Sequence, residues 1–147
     1  MPEEIVMAFD FGEKRIGVAI GNTVTAHAQP LTTLHVESNQ DRLAAIGKLV
    51  AEWQPARFVI GEPNHGNERP DEAMHPIARL AHKFGNRLRE KFRLPVEYVN
   101  EFLSSSAAEQ LLNERDIKGV AQKDHIDAVA AQIILQNYLD QASRHAA

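Results

Sequence analysis

The chain has no cysteine among its 147 residues. That excludes a disulfide framework, a thiolate metal site and a cysteine nucleophile. Aromatic residues make up only 6%, which leaves little material for stacking the bases of single-stranded nucleic acid. No apolar run approaches the length needed to cross a bilayer. The opening Met1-Pro2-Glu3-Glu4 is acidic where a secretory signal is basic. The expectation is therefore a cytoplasmic protein with no membrane partner. Positive charge is not in excess either, since the net charge is −4. For a nucleic-acid partner the distribution of charge then matters more than its sum.

What is present is ordinary for a globular chain, 44% hydrophobic and 24% charged. The length suits one domain, expected over 1–147, as a monomer or homodimer. The stretch that organises the rest is Ile5-Val6-Met7-Ala8-Phe9-Asp10. Five apolar residues run into a carboxylate, a charged Gly-flanked turn follows, and Ile16-Gly17-Val18-Ala19-Ile20-Gly21 reads as a second strand. The pattern is a β-hairpin. A carboxylate at the end of an apolar strand is costly unless a cation or a hydrogen-bond network meets it.

Farther on, Gln29-Pro30 interrupts the pattern and Leu31 to Val36 can form a third strand. Ser38 opens a helix carrying Leu43, Ile46, Leu49, Val50 and Trp53, which Gln54-Pro55 stops. Arg57 to Gly61 is a short buried strand, and residues 62–76 read as a long loop. The next helix presents Ile77, Leu80, Ala81, Phe84 and Leu88 on one face and Arg79, Lys83 and Arg87 on another. Pro95 to Glu101 is the last strand, and Ser104-Ser105-Ser106 introduces a helix. A polar loop over Asp116 to Lys123 precedes the final helix, expected to begin near Asp124 and to fray after Leu139. Strands separated by helices imply parallel neighbours, and the hairpin adds an antiparallel part. The class is α/β, a mixed five-stranded sheet with helices on both faces.

Three acids fall where such a sheet places its site: Asp10 on the first strand, Glu101 at the end of the last strand, and Asp127 in the first turn of the last helix. Hard oxygen ligands on separate elements suit Mg²⁺ or Mn²⁺. Two such ions can activate a water and stabilise the leaving oxygen of a phosphodiester. Asp124, three residues before Asp127, is a candidate fourth ligand, although capping of the helix is its leading explanation. Asp127 taken alone reads better as the N3 acid of a helix capped by Asp124, favoured by the helix dipole.

Phe9-Asp10-Phe11-Gly12-Glu13-Lys14-Arg15-Ile16-Gly17-Val18-Ala19 strongly resembles the opening motif of the YqgF/RuvX family. These proteins are similar to Holliday-junction resolvases and are named as nucleases for the 5′ end of pre-16S ribosomal RNA. Asn100-Glu101-Phe102-Leu103-Ser104-Ser105-Ser106 looks like the family's second motif, and Lys123-Asp124-His125-Ile126-Asp127-Ala128-Val129-Ala130 looks like its third. The resemblance implies a ribonuclease-H-like fold with Asp10, Glu101 and Asp127 as catalytic, metal-binding acids. It also implies hydrolysis of phosphodiesters in structured RNA or branched DNA, with a role in ribosome biogenesis. The family usually has Thr at the position of Glu13, Arg at that of Phe102 and Leu at that of Glu62. These departures leave the acids intact and fall on substrate handling.

The nucleic-acid contacts expected from the residues are Lys14 and Arg15 in the hairpin turn, Ser104 and Ser105 before a helix, and the basic face Arg79, Lys83, Arg87. Each has a plainer reading as a solvated or capping residue. Two other functions compete with a metal-dependent nuclease. One is a nucleic-acid- or ribosome-binding protein without turnover. The other is an actin-like phosphotransferase, for which the chain is too short to supply a second lobe.

Overall fold

The apolar run that opens the sequence becomes the central strand. In chain order the elements are β1 (Ile5–Asp10), β2 (Ile16–Asn22), β3 (His27–Leu34), α1 (Asn39–Trp53), β4 (Arg57–Glu62), α2 (Pro76–Phe92), β5 (Val96–Asn100) and α3 (Val120–Ala146). The computed structural model describes residues 4–12, 15–35, 38–62, 76–100 and 120–146; at 39, 62, 76–78, 100, 120–126 and 142–146 it describes the backbone alone. The sheet order is β3-β2-β1-β4-β5. β1 pairs antiparallel with β2 and parallel with β4, β2 pairs antiparallel with β3, and β4 pairs parallel with β5. This is the mixed sheet that the hairpin and the intervening helices imply.

Alternation along β1 divides the core. Met7 and Phe9 face one side, with Ile16, Val18, Ile46, Phe58, Ile60, Ala81, Phe84 and Leu88, so α1 and α2 cover that face. Val6 and Ala8 face the other, with Ala19, Val59, Ala131, Ile134, Leu135 and Leu139, so α3 covers that face. The first layer is aromatic: Phe9 meets Phe58 at 5.7 Å and the edge of Phe84 at 5.5 Å. On the strands the second layer is built of small residues, Val6, Ala8, Ala19, Ala28 and Val59, which lets α3 lie close to them.

Local signals are met where the chemistry is local. Ser38 caps α1 by accepting from the Asp41 N–H at 3.1 Å, and Gln54 closes it in the left-handed region at φ 49. Four expectations need correction. β3 runs through Gln29-Pro30 instead of breaking there, and Pro30 sits opposite Ala19. β3 is an edge strand, so the missing proline N–H costs no ladder bond, and the register shift at Val18/Ala19 absorbs the irregularity. Leu80 is 37% exposed, unlike Ala81, Phe84 and Leu88. α3 begins at Val120, so Asp124 lies in its second turn and does not cap it, and Asp127 lies beyond the first turn. It also continues to Ala146 instead of fraying after Leu139. The expected helix at Ser104 lies outside the described residues.

Candidate active site

Asp10 is the last residue of β1 and half-buried. Alternation from Val6 and Ala8 puts it on the face covered by α3. Its register partners are Gly17 on β2 and Gly61 on β4. The central carboxylate therefore has a residue without a side chain on either side.

Gly17 does more than leave room. A Cβ built there would lie 1.9 Å from the Asp127 carbonyl oxygen and 2.3 Å from its carbonyl carbon. The α3 backbone thus rests directly on β2 at Asp127, opposite Asp10 in the sheet register. Cross-strand partners have Cα atoms about 4.5–5.5 Å apart. Two acids 117 positions apart in the chain are consequently brought to one spot by a backbone-to-backbone contact. Asp127 is largely covered, its side chain 18% exposed, and Arg15 Nε lies 2.8 Å from its Oδ2. The contact is an ion pair and not an aligned hydrogen bond.

The turn holding Arg15 is tight. A Cβ at Gly12 would lie 2.5 Å from the Arg15 carbonyl oxygen, so only glycine lets the chain close there. Beneath it, Phe11 packs on Phe84 at 5.3 Å. The Arg42 guanidinium lies over the Phe11 ring at 5.7 Å, and Arg42 is only 5% exposed. A buried arginine over the ring that follows the candidate acid is a feature the sequence reading missed. Asn39-Gln40-Asp41-Arg42 looks like any solvated first helical turn, and no local signal marks it. Gly17 and Gly61 were equally silent, because a strand glycine reads as a turn neighbour.

The other expected residues divide. Arg79, Lys83 and Arg87 are all exposed on α2, clear of the buried face formed by Ala81, Phe84 and Leu88. Asp124 is on α3, and its side chain is outside the described residues. Glu101, Lys14, Ser104 and Ser105 also lie outside them; β5 ends at Asn100, immediately before Glu101. Among the described residues no group of three His, Cys, Asp or Glu side chains forms a metal cage. The two carboxylates that are described have the chemistry for a hard divalent cation, and Asp127 already holds a positive charge against one oxygen. The site residues fit the ion to that extent.

At the far end of the same sheet face lies a second polar cluster. Arg57 opens β4 and pairs with Glu4 at 2.8 Å and Glu97 at 3.4 Å. It donates to the Tyr138 hydroxyl at 3.1 Å, and that hydroxyl donates to Glu97. The hydrogen bond to Tyr138 is the main cause that holds the Arg57 guanidinium above its ordinary range, against the opposing effect of burial. Burial first, and the bond to Glu97 second, push the Tyr138 hydroxyl up from 10.0. This cluster fastens α3 to the sheet away from the acids.

Comparison with known proteins bears on the acids. A family model described as RuvX, Holliday junction resolvase, matches residues 4–141. A relative from Dechloromonas aromatica, named "Putative pre-16S rRNA nuclease", is 54% identical over 135 residues, covering 92% of this chain and 90% of its own. A relative of the same name from Burkholderia cenocepacia is 47% identical over 140 residues, covering 95% and 91%. Among solved structures, T. thermophilus RuvC in complex with a Holliday junction substrate aligns with TM-score 0.60 at 14% identity, over 96% of both chains. The Fowlpox virus resolvase with its Holliday junction DNA aligns with TM-score 0.54 at 11% identity, over 94% of this chain and 98% of that one. At such identities the likeness is one of fold, and the fold is ribonuclease-H-like.

Proposed function

Because the chain belongs to the RuvX family, we propose that it is a metal-dependent endonuclease that hydrolyses phosphodiester bonds in the 5′ region of pre-16S ribosomal RNA. The observation that carries the reading is the meeting of Asp10 and Asp127 across Gly17. Asp10, Asp127 and Glu101 are the acids that would hold Mg²⁺ or Mn²⁺, with Asp124 as a fourth candidate. Such ions, when bound, activate a water towards phosphorus and offset charge on the leaving oxygen.

The chain's own residues supply placement. β1 fixes Asp10 at the centre of the sheet, where neighbouring strands restrain it on both sides. The contact at Gly17 sets the height of Asp127 above the strand without relying on a flexible side chain. Arg15, paired with Asp127, is suited to a substrate phosphate, and Lys14, its neighbour in sequence, is a second candidate. Arg79, Lys83 and Arg87 offer a second row of positive charge for the nucleic-acid backbone, and Ser104 and Ser105 are candidates for a further phosphate.

The test is cleavage by the purified protein of a structured precursor RNA and of four-way junction DNA, with Mg²⁺ or Mn²⁺ added. Cleavage of the RNA is expected to vanish in Asp10→Asn and Asp127→Asn while the thermal midpoint is retained. Activity that survives either substitution rules out this site. Cleavage of junction DNA alone would favour a resolvase, a reading supported by the fold shared with RuvC. Metal-independent RNA binding with no cleavage would favour a non-catalytic binding protein.

A further inference from the structure

Arg15 stands in an ambiguous position. It lies on the turn that the proposed function assigns to a phosphate, yet its Nε is 2.8 Å from Asp127 Oδ2. It cannot serve both groups at full strength at once. Its side chain is 40% exposed against 18% for Asp127, so the arginine is the partner with somewhere to go. The backbone that carries the carboxylate is held in place, because Asp127 is pressed onto Gly17. The turn that carries Arg15 is anchored at Gly12, which leaves the long side chain as the mobile part.

We propose that Arg15 holds the place of a divalent cation at Asp127 and exchanges with it, moving its guanidinium to a substrate phosphate when the cation arrives. This rests on the metal-dependent nuclease reading and adds a coupling to it. The physical reason is charge balance. The Asp127 backbone rests on Gly17, the register partner of Asp10, and two carboxylates held close in a half-buried site repel unless a cation stands near them. The guanidinium supplies that charge at Asp127. A divalent ion supplies more, and the guanidinium is then repelled by the ion and attracted by phosphate. An ion pair that is not an aligned hydrogen bond is weak enough to exchange. Cation binding and nucleic-acid binding should therefore be linked through one side chain, each favouring the other.

The test measures binding and not turnover. Calorimetric titration with Mn²⁺, in the absence of nucleic acid, compares the native chain with Arg15→Gln, Arg15→Lys, Asp10→Asn and Asp127→Asn. Anisotropy of a labelled structured RNA, in EDTA and in Ca²⁺, reads the second half. Arg15→Gln is expected to bind Mn²⁺ about two- to fivefold more tightly, the size of an exposed ion pair removed. The same variant should lose the gain in RNA affinity that Ca²⁺ gives the native chain, and Arg15→Lys should fall between. If Arg15→Gln binds Mn²⁺ no better than the native chain while Asp127→Asn abolishes binding, the exchange is wrong and the nuclease reading stands. Mn²⁺ binding indifferent to both Asp10→Asn and Asp127→Asn overturns the two together.

Discussion

A methyl group at position 17 would overlap the Asp127 carbonyl, and neither strand nor helix backbone can give way cheaply. Gly17→Ala should lower stability by about 1–3 kcal/mol, as other overpacked cores do, and should reduce cleavage as well, because α3 must lift off β2. Urea unfolding and a cleavage assay on the same variant would show both effects. Gly47→Ala is the contrasting case. It lies inside α1, and its nearest neighbour is the edge of Phe92 at 3.7 Å, an ordinary contact. That substitution should raise stability by about 0.5–1 kcal/mol. Sequence alone marked Asp10, since a carboxylate closing five apolar residues contradicts its surroundings. It could not mark Gly17, because what makes that glycine necessary is a helix more than a hundred residues later. Arg42 was hidden for a similar reason: its guanidinium is buried against Phe11, on a distant part of the chain, and not against its own neighbours.

Among the elements, α3 has the most to satisfy, and polar side chains meet most of it. β3 is an edge strand, and the first part of its open edge is covered by α3. Gln132 Nε2 donates to the Ala28 carbonyl at 3.1 Å, the Ala28 N–H donates to Gln136 Oε1 at 3.0 Å, and Gln136 Nε2 donates to the Ala26 carbonyl at 2.7 Å. Ala28 is fully buried, so Gln136→Ala strands its N–H and should cost about 1–3 kcal/mol in urea unfolding. At the clamp, Tyr138→Phe should cost about 0.5–1 kcal/mol at neutral pH, at the lower end for a bond this exposed. A proton held more tightly in the folded chain than in the unfolded one stabilises the fold below the unfolded pKa. That contribution is lost as pH rises through the folded value. The upward shift of Tyr138 therefore gives stability that is intact below about pH 10 and declines above it, and Tyr138→Phe should flatten that decline. Denaturant midpoints at neutral and strongly alkaline pH would show it. The periodicity of the last helix was legible, but its start was not. Val120 to Lys123 has the composition of a loop, and the helix forms there regardless.

Across the whole molecule, charge is arranged by place and not by sum. A chain of net charge −4 carries Arg79, Lys83 and Arg87 together on the exposed side of α2. If these meet nucleic-acid phosphates, replacing all three with alanine should reduce the slope of log affinity against log salt by roughly 0.7–0.9 for each contact removed. An anisotropy titration in salt measures this, and an unchanged slope would leave the row as a solvated face. The mixed sheet was legible from the order of strands and helices. The division of labour along α3 was not, since the partners that Asp127 and Tyr138 meet at opposite ends of the sheet lie on distant parts of the chain. That division makes α3 a ruler with a fixed phase. Its contact at Gly17, its glutamines at Ala28 and its tyrosine at Arg57 are read off one cylinder, in which each residue turns about 100°. Insertion of a single alanine between Asp127 and Gln132 would preserve every residue and nearly the same length. The downstream anchors could keep their partners only by rotating Asp127 away from Asp10, so a one-residue insertion should be as damaging to cleavage as loss of the acid itself.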